Sequence, residues 1–281
     1  MPFFSIVTIG CANVNEILAT LDSVNSQEFS DFEHIVVISR VSLLEKEAIR
    51  CSKRLEKRVH IFDEDTGIYS AMNIGTMRSN GRYLLFMNSG DFFSSKNSLS
   101  LIHQQVINWH SHACPKCYAF AGYQIYDKDC YLRIPTVSSA HRISIPHQSF
   151  IAPNPNYFKT NPIYFNENNP ISADSQWIKA NVLQYGCIYS CVPVSIMTLG
   201  GDSNRPSLMY LRIQFVSGNI KKLVLGALKL ALGSLIPRRL YYLFLAFLNP
   251  SNLYLGRVDS SCCVISVGSS VSRFRHILLK S

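Results

Sequence analysis

Two short stretches put oxygen ligands where chemistry could occur. Asn88-Ser89-Gly90-Asp91 follows the apolar run Arg82–Met87. A carboxylate just past a buried strand can hold a divalent cation through oxygen. Asn88 can add an amide oxygen, and Gly90 leaves backbone room for a ligand. On its own the same tetrapeptide is also ordinary turn chemistry. The second stretch is Asp174, which opens a helical pattern carrying Trp177 and Ile178 on its core side. A carboxylate there can take a proton as general base. Asp is also a good helix N-cap, and the two roles are compatible. A third cluster, His110, His112, Cys114 and Cys117, has zinc-type residues. Its histidines end a helix pattern and no second Cys-x-x-Cys follows, so a structural zinc is the weaker reading. Cys262-Cys263 has no metal spacing.

The elements that must position these groups alternate. Residues 3–9, 33–38, 58–62 and 82–87 read as strands, and 15–27, 43–57 and 68–79 as helices with apolar stripes. Such alternation predicts a parallel sheet covered on both faces. Ligands of these sheets sit beyond the carboxyl ends of the strands, here residues 10–13, 38–42, 63–68 and 88–92. Further on, the pattern predicts a helix at 98–110, strands at 118–126 and 131–134, a Pro/Asn-rich stretch at 153–170 and a helix at 172–185.

Hydrophobic residues make up 47% and charged residues 16% of 281, which allows a sizeable core and excludes wholesale disorder. Nine scattered cysteines at irregular spacing read as buried apolar side chains of a reducing compartment. No basic, apolar and small-residue leader opens the chain, so the first domain is expected in the cytoplasm. Charge divides the sequence. Residues 1–204 carry 16 Lys+Arg against 17 Asp+Glu, whereas 205–281 carry 11 against Asp259 alone. The apolar segments of this tail are broken by Lys221, Lys222, Lys229, Arg238, Arg239 and Pro237. None reaches the roughly 18 uncharged residues that span a bilayer. Helices lying in the plane of an anionic membrane fit best, with an ordinary packed subdomain as the alternative. No nucleic-acid partner is expected, because the basic residues interleave with aliphatic runs.

Two longer stretches carry a resemblance. Residues 63–75 read Asp-Glu-Asp-Thr-Gly-Ile-Tyr-Ser-Ala-Met-Asn-Ile-Gly, and 81–91 end in Asn-Ser-Gly-Asp. Together they resemble family 2 glycosyltransferases of the GT-A fold, especially bacterial enzymes that build surface polysaccharides. In the same order come Pro146-His147-Gln148, similar to the family's His-Gln segment, and Ala173-Asp174-Ser175-Gln176-Trp177, similar to its acid-containing helix. Leu199-Gly200-Gly201-Asp202-Ser203 is similar to its Gly-Gly loop. Thr20-Leu21-x-Ser23-Val24 and Gln27 match its opening helix. The resemblance covers about residues 4–204 and stops before the tail.

The resemblance implies an α/β GT-A domain at 1–204, Rossmann-like, with a mostly parallel central sheet and helices on both faces. A basic, apolar, helical membrane-associating segment would follow at 205–255, and a polar, basic tail at 256–281. It implies transfer of a sugar from a nucleotide-diphosphate donor, with inversion, to a glycan or polyprenyl-diphosphate-linked acceptor. The product would be capsule, O-antigen (lipopolysaccharide) or exopolysaccharide. The enzyme would sit peripherally on the inner face of the cell membrane, held through 205–255. Asp91 would hold Mg²⁺ or Mn²⁺, which offsets the charge of the departing diphosphate. Asp174 would be the base. Thr8, Gly10, Asp65, Gly67, Asn73, Asn88, Ser89 and Asp91 would bind the donor, and His147, Gln148 and Gly201 the sugar or acceptor. The sequence departs from the pattern at Ile38-Ser39-Arg40-Val41-Ser42, which lacks the usual acid for the base of the nucleotide, and at Ala173 and Gln176, where the family often has acids. The alternative is a catalytically silent nucleotide- or glycan-binding relative.

Overall fold

The computed structural model describes residues 1–11, 13–39, 42, 46, 47, 49, 59–63, 66–109, 115–126, 129–138, 142–169, 172–198 and 252–257. All of the helix expected at 43–57 except residues 46, 47 and 49, together with the zinc-type histidines, Asp65, Gly201 and nearly all of the tail, lies outside the described residues.

Strands β1 (Phe4–Cys11), β2 (Phe32–Ser39), β3 (Val59–Asp63) and β4 (Tyr83–Phe86) form the parallel core in the order β3-β2-β1-β4. Three of them are fully or largely sealed from water, which is why they read as nearly continuous apolar runs. Beyond β4 the sheet turns antiparallel through β10 (Phe150–Pro153), β6 (Cys117–Tyr126), β7 (Asp129–Arg133) and β12 (Asn252–Arg257). The long strand β11 (Cys187–Thr198) runs parallel to β6 and also pairs the short β5 (Phe92–Phe93). A separate hairpin joins β8 (Thr136–Ser138) to β9 (Arg142–Ser144).

Alternation along the strands sorts the core into two faces. Phe4, Ile6, Tyr83, Leu85 and Met87 pack towards α1 (Val14–Asn25) and α3 (Ser98–Asn108). Val7, Ile9, Ile35, Val37, Leu84 and Phe86 pack towards α2 (Ile68–Arg78) and α5 (Ala173–Tyr185). The short helix α4 (Pro155–Phe158) follows β10. The predicted parallel sheet with helices on both faces is therefore present in its first half, and the second half is mixed. Strands β5, β8, β9, β10, β11 and β12 have no counterpart among the expected elements.

One of these begins within the segment expected to be helical. The helical segment expected at 205–255 takes in residues 252–255, yet Asn252–Arg257 is a strand that extends the sheet beside β7. Backbone pairing at the sheet edge outweighs the helical reading of an apolar stretch too short to show a period. Among the described residues, no helix is long and apolar enough to cross a membrane.

Candidate functional site

A polar stripe on α1 fixes the turn after β4. The Thr20 hydroxyl accepts from the Gly90 amide at 3.0 Å and donates to the Asp91 carbonyl at 3.0 Å. One turn on, Ser23 Oγ accepts from the Phe93 amide at 2.9 Å. Gln27 then donates to the Ser95 carbonyl and accepts from the Leu99 amide, tying α1 to the start of α3. The turn itself is closed by Asp91 N–H to the Asn88 carbonyl at 3.0 Å, and Ser89 N–H is anchored on the Ile9 carbonyl. Gly90 has φ +86°, a backbone region that penalises any Cβ. Asn88-Ser89-Gly90-Asp91 is thus a true turn, and it also stands at the carboxyl end of a core strand.

Asn88 continues the alternation of Leu84 and Phe86, which puts it on the α5 side of the sheet. There its Nδ2 lies 3.0 Å from His147 Nε2. His147 begins a 3-10 turn, His147–Ser149, that leads into β10. Its Nδ1 lies 3.7 Å from Asp174 Oδ2. The next residue, Gln148, donates from Nε2 to Asp91 Oδ2 at 2.7 Å. The His-Gln pair therefore joins the two carboxylates singled out in the sequence, one at the end of β4 and one at the start of α5.

The electrostatics suit a neutral imidazole. Burial pushes His147 below its ordinary value; the Asp174 carboxylate opposes this, and the Arg133 guanidinium adds to it. With Nε2 accepting from Asn88, the proton resides on Nδ1 and faces Asp174. The N-cap of α5 is Ser172, not Asp174; Asp174 lies in the first turn, where its Oδ1 accepts from the Ser175 amide at 2.7 Å. Its side chain is 29% exposed and still reachable by a ligand. Trp177 places the helix: it stacks on Phe165 at 4.8 Å, meets Phe86 and Phe150 edge-on, and donates from Nε1 to the Ile163 carbonyl.

Several residues expected to bind the donor or the sugar take partners within the fold. Thr8 is fully buried on the α1 side, and its hydroxyl is taken by His34 Nε2 at 2.8 Å, so it braces β1 against β2. Gly10 lies on the same face; a Cβ there would meet Ile17 Cδ1 at 2.6 Å, so its smallness serves helix packing. Asn73 has its amide filled by Phe165 N–H, the Phe165 carbonyl and Glu167 Oε1. It clamps the segment leading to α5 and has no donors left for a phosphate. Gln148 is almost fully buried and supports Asp91 instead of lining an open pocket. Gly67 caps α2, and among the described residues nothing lies within 4 Å of where its Cβ would stand. Ser39, where the family pattern would lead into an acid, holds the Thr66 carbonyl at 2.7 Å. Asp91 itself is 5% exposed.

Three neighbours went unnoticed in the sequence. Tyr69 sits beside the amides of Ala173 and Asp174; burial first, then the Asp174 charge, pushes its hydroxyl up to about 12, and those amides oppose the shift. Tyr69 thus stays protonated at the start of α5. Arg133, at the end of β7, is electrostatically coupled to both His147 and Asp174. Glu16 of α1 lies beside Gly90, with Oε2 3.5 Å from where a Cβ would stand. Tyr69 lies within the 63–75 motif, but nothing in that motif pairs it with Asp174; Arg133 and Glu16 belong to no motif and arrive from separate elements.

Oxygen donors suited to a hard cation are present in small number. Among the described residues, Asn88 Oδ1 and Gln148 Oε1 are buried without a hydrogen-bond partner, and the Gln148 amide donates to the Asp91 carboxylate. Among the described residues no three His, Cys, Asp or Glu side chains gather as a metal cage. Such a set fits Mg²⁺ or Mn²⁺ only where ligand phosphates supply most of the coordination.

The family described as "Glycosyl transferase family 2" matches residues 5–167. Comparison with proteins of curated function gives no match. Among solved structures, S. aureus TarS 1–349 is similar with a TM-score of 0.56 at 19% identity, over 70% of this chain and 60% of that one. The same fragment in complex with UDP-GlcNAc is similar at 0.55 and 18%, over 77% and 66%. The mannosyltransferase PcManGT from Pyrobaculum calidifontis, in complex with GDP-Man and Mn²⁺, is similar at 0.53 and 12%, over 88% and 79%. The chain spans about three fifths of the first TarS fragment, and at these identities the likeness speaks to the fold.

Proposed function

Because this chain belongs to glycosyl transferase family 2, we propose that it moves a sugar from a nucleotide-diphosphate donor to a hydroxyl of a glycan or polyprenyl-diphosphate-linked acceptor, with inversion, in surface polysaccharide synthesis. The observation that carries this reading is the His147-Gln148 pair, which links a carboxylate at the end of β4 to a carboxylate at the start of α5. The crevice beyond the carboxyl ends of the parallel strands receives the donor.

Asp174 takes the proton of the acceptor hydroxyl. Neutral His147, with its proton on Nδ1, faces that carboxylate across 3.7 Å. Asn88 fixes the imidazole from the other side. The Thr20 and Gln148 contacts hold the turn that carries Asn88 and Asp91 in one conformation, so little reorganisation accompanies donor binding. Asn88 and Asp91 would hold Mg²⁺ or Mn²⁺, which when bound offsets the charge of the leaving diphosphate. Ser89 and Gly67 border the donor, while Asp65 and Gly201 keep their proposed roles in donor and sugar binding. The basic stretch within 205–251 docks the enzyme on the anionic inner face of the cell membrane.

The test is transfer and hydrolysis with UDP-, GDP- and dTDP-sugars, each with and without Mn²⁺. Cleavage of one donor with inversion of its anomeric centre supports the proposal. A folded chain that binds these donors and cleaves none would be the silent relative instead.

A further inference from the structure

The guanidinium of Arg133 is built for a ligand that no contact described so far supplies. It stands at the last residue of β7, beside the start of α5. One arm, Nη2, donates to Ser144 Oγ at 3.1 Å, which orients the plane of the group. Its Nε is buried and, among the described residues, has no hydrogen-bond partner. Among the described residues no carboxylate lies within 4.0 Å of it; Asp174 is close enough to be felt and too far to be paired. Burial accordingly pulls its pKa below the ordinary arginine value, though not far enough for a guanidinium to lose its charge. A buried cation with an unfilled N–H is strongly disfavoured unless an anion completes it. The planar fork of a guanidinium matches two oxygens of a tetrahedral oxyanion.

The position narrows the ligand. Arg133 lies on the Asp174 side of the site, where a sugar acceptor must present its hydroxyl if the chain is a glycosyltransferase with Asp174 as base. Its backbone is in register with Asn252, the residue at which the chain re-enters the sheet after the apolar, basic stretch.

We propose that Arg133, oriented by Ser144, binds a phosphoryl oxyanion of the substrate next to the Asp174 base. This rests on and deepens the glycosyltransferase reading, and the phosphoryl group has two possible sources: the lipid-linked acceptor or the donor diphosphate.

The full chain is titrated by calorimetry with inorganic pyrophosphate, then with farnesyl diphosphate and with UDP, as wild type, Arg133→Gln, Arg133→Lys and Ser144→Ala. Melting temperatures are taken for each. Arg133→Gln should weaken pyrophosphate binding at least tenfold, with Arg133→Lys and Ser144→Ala in between. A parallel loss for farnesyl diphosphate with UDP unchanged identifies the acceptor; the reverse identifies the donor. Wild type that binds no pyrophosphate overturns the proposal. So does a folded Arg133→Gln or Arg133→Lys protein that binds pyrophosphate as tightly as wild type. Donor-sugar cleavage by the wild type is measured separately, so its absence would sink the enzyme reading without touching the calorimetry.

Discussion

Gln148 Nε2 donates to Asp91 Oδ2 across 2.7 Å, and this bond fastens a 3-10 turn from one half of the fold to the turn that ends β4 in the other. Its neighbour His147 reaches the other way, towards Asp174. Two residues adjacent in the chain therefore set the spacing between a cation-side carboxylate and a base-side carboxylate.

Asp174→Asn keeps the helix-end oxygen that accepts from Ser175 and removes the basic oxygen pair. Sugar transfer should fall by about a hundred- to ten-thousand-fold with donor affinity unchanged. Initial rates together with calorimetric donor binding check both halves.

His147 gives a pH signature of known sign. Its folded value lies below the ordinary one, because burial disfavours the imidazolium. The folded state then gains nothing more above about pH 6.5 and loses stability as pH falls through the depressed value. The melting temperature should decline towards acid pH more steeply in the wild type than in His147→Gln. An NMR titration should place the His147 midpoint below that of an exposed histidine.

Thr20→Val removes the hydroxyl that takes the Gly90 amide and serves the Asp91 carbonyl. Leaving those buried groups unmatched should cost about 1–3 kcal/mol. Because the loosened turn carries Asn88, the KM for donor should rise as well, which steady-state kinetics will show.

Asn73→Ala separates a clamp from a donor contact. It strips partners from both the amide and the carbonyl of Phe165. Stability should drop by about 1–3 kcal/mol in a denaturant titration, while donor affinity measured well below the melting temperature should hold.

Chelation tests the cation. EDTA should abolish transfer, and Mn²⁺ or Mg²⁺ should restore it. Asn88→Asp adds a charged oxygen to a set that has one carboxylate and two amide oxygens. It should lower the Mn²⁺ concentration needed for half-maximal rate by several-fold.

The sequence alone determined the parallel core and its crevice, because strands buried on both faces must be apolar and must alternate with helices. It also marked Asp91 and Asp174, since a turn after an apolar strand and an acid at a helix start are local patterns. Which neighbours those acids have was a tertiary matter. Thr8, Gly10 and Asn73 sit within family-like motifs, yet the face each occupies and the partner each meets make them packing and clamping residues. Tyr69 lies in a quoted motif and Arg133 in none, yet the role of each beside Asp174 could not be read along the chain, because it arises only where β7, α2 and α5 converge on one carboxylate. Local pattern fixes what a segment becomes; long-range packing decides what a side chain touches.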